Sequence, residues 1–260
     1  MIPLYQVDAF TDAVFKGNPA AVCPLEKWLP DGVMQSIATE NNLSETAFFV
    51  GGRGRYHLRW FMPTEEVDLC GHATLATAYV VYRFLDPAAG PLTFDSRSGP
   101  LTVARQADDY LELDFPARAP GERITQPALE EALGQRPREL WAGQRDYLAV
   151  YESEEEVRAL APEMEALKRL DLMAVTVTAP GRQADFVSRF FAPKVGIPED
   201  PVTGSSHCTL VPYWSERLKR DRLRAHQLSA RGGELLCTAR GDRVGIAGRC
   251  ALYLRGTIEL

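Results

Sequence analysis

Short apolar runs separated by turn-forming residues dominate the sequence, which predicts many strands and few helices. The helix prediction covers residues 31–41, with Asp31 as the N-cap, and Ser153 with Glu156 has the spacing of a capping box. This pattern favours barrel-like domains over a doubly wound sheet. The predicted strands are 4–10, 46–50, 56–61, 173–178, 185–191 and a hairpin of 101–106 with 110–114; short β-like runs continue from 227 to 260.

One segment, residues 73–85, is apolar almost all round, as in a helix that is buried on every side. Gly71 precedes it and permits a tight turn. The first turn of such a helix presents unpaired N–H groups and a positive dipole end. We therefore expect the start of this helix to be able to bind a carboxylate or a phosphate.

The chain also repeats part of itself. RWFMP at 59–63 resembles RFFAP at 189–193, and HATL at 72–75 resembles HCTL at 207–210, in the same order. These matches predict an internal duplication. The Pro- and Gly-containing stretch 116–127 is a predicted linker, so the expected domains are 1–117 and 118–260, with the last strand a candidate to return to the first domain.

Charge and cysteine content narrow the classes of function. The chain has 29 Lys and Arg against 35 Asp and Glu, a net charge of −6, which argues against binding to nucleic acid or an anionic membrane. No apolar run approaches the roughly 20 residues of a membrane span. The N-terminus lacks the features of a signal peptide. Five dispersed cysteines indicate free thiols, so we expect a cytoplasmic protein.

Three segments carry candidate chemistry. Glu45 lies where a predicted helix gives way to an apolar strand, so its carboxylate is either partly desolvated and suited to general acid–base chemistry or an ordinary solvated turn residue. In the second segment, His72 is either an added donor or a helix cap, and Cys70 is either an activated thiolate or a small buried apolar residue.

The third segment is a polar turn before a second predicted helix, in which Pro212 is expected to cause a kink. Thr203 and Ser205 can bind an anion together with the helix N–H groups, and Asp200 can accept a hydrogen bond or orient a partner. The alternative is an ordinary capped helix start.

The sequence motifs do not favour a zinc site, a hydrolase triad or a nucleotide-binding site. Zinc-ligand types occur at 70, 72, 207 and 208, but each pair is closer than a Cys-x-x-Cys spacing allows. Ser205, His207 and Asp200 are the residue types of a hydrolase triad, yet no Gly-x-Ser-x-Gly elbow surrounds the serine. No Walker loop or Gly-x-Gly-x-x-Gly motif indicates a nucleotide. No metal is predicted.

Several blocks together resemble the PhzF-like (phenazine biosynthesis isomerase-like) family. They are VDAFT at 7–11, FKGNPAAV at 15–22, LSETAF at 43–48, CGHAT at 70–74, DPVTGSSH at 200–207 and QLSARGGEL at 227–235. The resemblance implies an α+β, diaminopimelate epimerase-like fold with two pseudo-symmetric halves. Each half would be a β-barrel around a central helix, with the active site in the cleft between them. It also implies a homodimer that works without a cofactor.

For the site, the resemblance implies that Glu45 is the catalytic acid/base. It places His72, Asp200 and Ser205 along the substrate cleft, with Gly71 and Gly204 at the two helix starts; Thr203 belongs to the same substrate-binding set. His207 and Cys70 are secondary candidates. Relatives that epimerise amino acids use a Cys at each helix start, and residues 200–206 contain none.

The leading hypothesis is therefore a cofactor-independent isomerase that transfers a proton on a small carboxylate. One acid/base is sufficient for that reaction, whereas an epimerase needs a group on each face of the inverted centre. Two alternatives remain: an amino-acid racemase or epimerase that uses Cys70, and a non-catalytic binding protein on the same fold.

Overall fold

The computed structural model describes all 260 residues, which divide into two compact units. Unit 1 comprises Met1–Phe115 and Gly245–Leu260, and unit 2 comprises Pro116–Val244. Strands outnumber helices throughout, so the predicted α+β class is confirmed. All five cysteines are free thiols. None of the helices combines the length and the hydrophobicity that crossing a bilayer would require.

The elements follow in chain order. Those up to residue 116 are β1 (Ile2–Ala9), β2 (Asn18–Pro24), α1 (Asp31–Asn41), β3 (Glu45–Gly52), β4 (Arg55–Phe61), β5 (Glu66–Val67), α2 (Gly71–Val80), β6 (Leu92–Ser96), β7 (Gly99–Arg105) and β8 (Leu111–Pro116). The rest are β9 (Glu122–Arg123), α3 (Pro127–Leu133), β10 (Glu139–Ala142), β11 (Asp146–Val150), α4 (Glu154–Ala159), α5 (Met164–Lys168), β12 (Ala174–Pro180), β13 (Phe186–Phe191), α6 (Gly204–Leu218), β14 (Arg222–Gln227), β15 (Gly233–Arg240), β16 (Arg243–Gly248) and β17 (Cys250–Ile258).

The two units repeat one pattern of strand pairing. In unit 1, β2 and β3 are parallel, β3 and β4 antiparallel, β4 and β6 parallel, and β6 and β7 antiparallel. In unit 2, the series β11, β12, β13, β14 and β15 alternates in the same way. Helix α2 connects one parallel pair and α6 its counterpart. This shared order supports the predicted duplication.

The repeated sequence motif also has the same contacts in each unit. Arg59 on β4 makes a bidentate pair with Glu66, and Arg189 on β13 makes one with Glu199. Each guanidinium also lies about 5 Å from the ring of the Phe two positions on, at 5.1 and 4.9 Å. An arginine fork fixes a carboxylate in two places, so it anchors the segment that follows the strand.

The structure does not support the alignment of the second sequence match, HATL at 72–75 with HCTL at 207–210. His72 is the second residue of α2, whereas His207 is the fourth residue of α6. The two helices start at Gly71 and Gly204, so the histidines are not equivalent positions. The similar letters HATL and HCTL align the two histidines. The turn before α6 is longer than the turn before α2, so this alignment is out of register with the helices.

The apolar helix is confirmed, with a shorter regular part than predicted. Every residue from His72 to Ala78 is buried, and α2 contacts β1, β2, β3 and β17. A π-helical turn covers 81–85, closed by the N–H of Asp86 on the carbonyl of Val81, and Leu85 is 45% exposed. The prediction of a helix buried on every side up to residue 85 was therefore wrong for its last turn.

Two further local predictions are confirmed, and one is wrong. The hairpin forms between β7 and β8, and Ser153 with Glu156 forms the capping box. Asp31 is not the N-cap of α1, because Pro30 precedes the first turn and Asp31 is its first residue. There the carboxylate pairs with Arg59 and still lies near the positive end of the helix.

Apolar residues hold further helices on the sheet of each unit. Met34 and Ile37 of α1 pack on Phe48 and Phe61 in unit 1. In unit 2, a larger apolar cluster joins α3, α4 and α5 to β10–β13. Each unit thus has a polypeptide framework rigid enough to hold side chains at the starts of α2 and α6.

Candidate active site

Glu45 is placed by an abrupt change from helix to strand. Helix α1 ends at Asn41. The next residue, Asn42, has a left-handed backbone (φ 48°) and donates its N–H to the carbonyl of Ala38. The side chain of Asn41 donates to the hydroxyl of Thr46, at 3.1 Å. Glu45 is then the first residue of β3 and is 8% exposed, which agrees with the desolvated alternative rather than a solvated turn.

His72, in the first turn of α2, is the closest charged partner of Glu45. Its Nε2 lies 3.1 Å from Oε2 of Glu45. On the other side of the ring, Nδ1 lies 3.2 Å from Nδ2 of Asn18. The hydroxyl of Ser44 donates to Oδ1 of that asparagine, at 3.2 Å. The imidazole thus lies between Glu45 at the start of β3 and Asn18 at the start of β2.

The facing atoms of the Glu45–His72 pair make no hydrogen bonds. Oε2 of Glu45 and Nε2 of His72 are both buried, and their approach lacks the geometry of a hydrogen bond. Neither atom has another hydrogen-bond partner. Buried polar atoms are nearly always paired, so these two facing atoms retain hydrogen-bonding capacity that the protein does not use.

Charge on neighbouring groups sets the protonation of His72. Burial acts to lower the pKa of His72, but the interactions with Cys70 and Glu45 outweigh burial and raise that pKa well above its ordinary value. Burial and the charge of Glu45 raise the pKa of Cys70 to about 11. The thiol of Cys70 is therefore protonated at neutral pH.

Glu45, Cys70 and His72 are also the one cluster with metal-ligand types, their ligand atoms lying within 4.8 Å of one another. The thiol lies 3.5 Å from Nδ1 of His72, whereas the carboxylate faces Nε2. The lone pairs of those two nitrogens diverge, so the three groups form a chain rather than a cage around one ion. His207 and Cys208 belong to unit 2.

In unit 2, a buried amide organises the turn before α6. Gln227, at the end of β14, accepts from the N–H of Thr203 at 2.8 Å and donates to the carbonyl of Asp200 at 2.8 Å. The hydroxyl of Thr203 donates to the carboxylate of Asp200, at 2.5 Å. These bonds fix the polar turn and hold the carboxylate of Asp200 at its edge.

Ser205 is the second residue of α6, immediately after Gly204. Its hydroxyl accepts a hydrogen bond from Nη2 of Arg145, at 3.0 Å. That guanidinium is itself fixed by Asp146, at 2.6 Å. The start of α6 thus combines free helix N–H groups with a cation, which is a suitable environment for an anion.

His207 has the contacts of a buried neutral imidazole. It is fully buried, its Nδ1 donates to the carbonyl of Thr203 at 2.8 Å, and its ring packs on Phe186. Burial lowers its pKa to about 4. It remains neutral at physiological pH, unlike His72.

The structure thus brings Glu45, Cys70, Gly71 and His72 together in unit 1, and Asp200, Thr203, Gly204, Ser205 and His207 together in unit 2. The residues that hold them were not predicted from the sequence; they are Asn18, Ser44, Arg145 and Gln227. Asn18, Ser44 and Gln227 lie within the family-like blocks, which was the available signal. Nothing in the sequence around Arg145 indicated a role.

Comparisons with known proteins agree on one family. A sequence profile of the PhzC-PhzF family, described as phenazine biosynthesis-like protein, matches residues 7–256. An uncharacterized isomerase of Pseudomonas aeruginosa is 54% identical, and the alignment covers 100% of this chain and 99% of that protein. A crystal structure of a PhzF-family protein from Enterococcus faecalis has a TM-score of 0.96 at 51% identity, over 100% and 99% of the two chains. A predicted epimerase from Pseudomonas aeruginosa shares the fold, with a TM-score of 0.77 at 22% identity over 99% of each chain.

Proposed function

Because the chain belongs to the PhzC-PhzF family of phenazine biosynthesis-like proteins, we propose that it is an isomerase that moves a proton on a small carboxylate substrate, with Glu45 as its single acid/base. The observation that carries the proposal is the buried pair of Glu45 and His72, 3.1 Å apart with both facing atoms unbonded. A carboxylate in that state can take a proton from carbon and return it to another position on the same face.

His72 supports this chemistry through its charge. Its raised pKa keeps the imidazole protonated beside the carboxylate. An adjacent imidazolium favours the ionised form of a carboxyl group, which is the form that accepts a proton. The imidazolium also offers a donor on Nε2 to negative charge that develops on the substrate.

The helix starts are the proposed carboxylate-binding groups. Gly71 and Gly204 begin α2 and α6, where backbone N–H groups have no partner within the helix. Ser205 and Thr203 add hydroxyls, and Asp200 adds an acceptor for a polar substituent. No cofactor enters the proposed reaction, and the resemblance further suggests a cytoplasmic homodimer.

The racemase alternative depends on Cys70 acting as a base. With its pKa raised to about 11, the thiol of Cys70 is protonated at neutral pH and is a poor base. Residues 200–206 provide no second thiol for the opposite face. These observations favour the isomerase with one acid/base.

Solvent deuterium incorporation tests the proposal. The protein is incubated in D₂O with a panel of small unsaturated and hydroxylated carboxylates, and incorporation is followed by proton NMR. We expect Glu45→Gln to abolish incorporation, a loss of at least about a thousandfold, because the amide cannot accept the proton. Circular dichroism checks that the fold is retained.

Glu40→Gln is the matched control, since Glu40 is exposed on α1 and makes no ion pair. It should retain full incorporation. Full incorporation in Glu45→Gln would remove Glu45 from the mechanism, and loss on alkylation of Cys70 with retention in Glu45→Gln would favour the racemase.

A further inference from the structure

Unit 2 contains a cavity of about 550 Å³ that the proposed reaction does not explain. Its walls come from residues 117–121, residues 143–148, Thr176 on β12 and Thr209 on α6. A volume of this size is typical of sites for small molecules. All of the lining residues belong to unit 2.

The charge of the lining is positive. Its charged side chains are those of Arg118, Arg145 and Asp146. Asp146 forms an ion pair with Arg145, in which Oδ2 of Asp146 lies 2.6 Å from Nη2 of Arg145. The guanidinium of Arg118 makes no ion pair, although its backbone N–H is fixed on the carbonyl of Cys208. An arginine without a carboxylate at the wall of a cavity is a ready partner for an anionic group.

The threonines supply the second observation. Thr176 is 4% exposed and lines the cavity. It lies two residues before Thr178, whose hydroxyl accepts from the indole of Trp214 on α6, so both threonines face that helix. Thr209, on α6, is half-buried and also lines the cavity. Each of these hydroxyls can donate and accept a hydrogen bond at the cavity wall.

From this combination we propose that the cavity binds a small organic anion that carries a carboxylate and a further hydrogen-bonding group. Arg118 binds the carboxylate, and the hydroxyls of Thr176 and Thr209 bind the second group. Arg145 joins this site to the start of α6, because the same guanidinium donates to Ser205. The inference is independent of the role of Glu45.

Isothermal titration calorimetry with three probes, L-malate, succinate and citrate, tests the site on the whole protein. We expect at least one of them to bind below about 10 mM, and Arg118→Gln to weaken that binding by about tenfold. Thr176→Val keeps the shape and removes the hydroxyl, and should weaken malate by about threefold while leaving succinate, which has no hydroxyl, nearly unchanged.

Two controls isolate the cavity from general charge and from the isomerase site. Arg136→Gln removes a guanidinium whose side chain is 79% exposed, and should leave binding unchanged. Glu45→Gln should also leave it unchanged, so failure of the proposed reaction and failure of this site are separable. The proposal is overturned if none of the three probes binds the wild type, or if Arg118→Gln and Arg136→Gln weaken binding equally.

Discussion

At the scale of single residues, the pair of His72 and Glu45 makes stability depend on pH. The pKa of His72 is raised in the folded protein, so folding is coupled to its protonation. The stabilisation is fully present below the unfolded pKa of about 6.5 and is lost as pH rises through the folded pKa.

Glu45→Gln should remove part of that dependence, because Glu45 is one of the two neighbours, after Cys70, that raise the pKa of His72. We expect the difference in unfolding free energy between wild type and variant to be larger at about pH 6 than at about pH 10. Urea unfolding at the two pH values measures it. The C2 proton of His72 should titrate at lower pH in the variant, and an unchanged titration would contradict the pairing.

The sequence predicted Glu45 well and its surroundings poorly. An apolar run after a predicted helix end was sufficient to expect a desolvated carboxylate. The contact with His72 joins residues 27 positions apart, and the contact of His72 with Asn18 joins residues 54 apart. Local pattern contains no information on such pairs, because they depend on strand register and on the angle at which α2 crosses the sheet.

At the scale of elements, the connection between β1 and β2 controls the position of Asn18. Gly17 has a φ of 61°, and a Cβ at this position would lie 2.1 Å from the carbonyl oxygen of Ala9. The positive φ and the close approach to the backbone both exclude a side chain at position 17. Gly17→Ala should therefore destabilise the protein by about 3 kcal/mol and displace the amide of Asn18 from His72.

Gly32→Ala is the control for this substitution. Gly32 lies in α1, and a Cβ there would meet nothing within 4 Å. This variant should be neutral or more stable by up to about 1 kcal/mol. Thermal unfolding compares the two variants, and equal stabilities would show that the turn adapts to the side chain.

Elements with a local cause were predicted and those with a tertiary cause were not. The capping box depends on side chains three residues apart, and the β7–β8 hairpin on a short turn. The change from α2 to a π-helical turn at Val81 has no such signal, because the apolar pattern continues through residue 85. Likewise, the short pairing of β9 with β10 depends on the position of the linker, which the local sequence pattern does not specify.

At the scale of the whole molecule, the last strand completes the unit that begins the chain. β17 pairs antiparallel with β1 along nearly its whole length, from Ile258 opposite Ile2 to Cys250 opposite Ala9. Without β17, β1 has an unpaired edge and α2 loses one of its contacts. The duplicated pattern predicted two halves, and the predicted division at residues 117 and 118 stays a prediction.

A fragment of residues 1–115 should therefore not fold cooperatively. The same fragment joined through a short glycine–serine linker to residues 245–260 should do so, because all of unit 1 is then present. Fluorescence of the buried Trp60 during urea unfolding distinguishes the two. Cooperative unfolding of residues 1–115 alone would show that β17 is dispensable.

The pairing of β1 with β17 has a consequence for biosynthesis. Unit 2 is one continuous stretch, so a ribosome releases all of it before the segment that β1 requires. Throughout translation the nascent β1 carries a row of backbone groups with no partner on one side. The half of the protein that is synthesised first is thus the half that finishes folding last, and it is the half for which a chaperone would matter most.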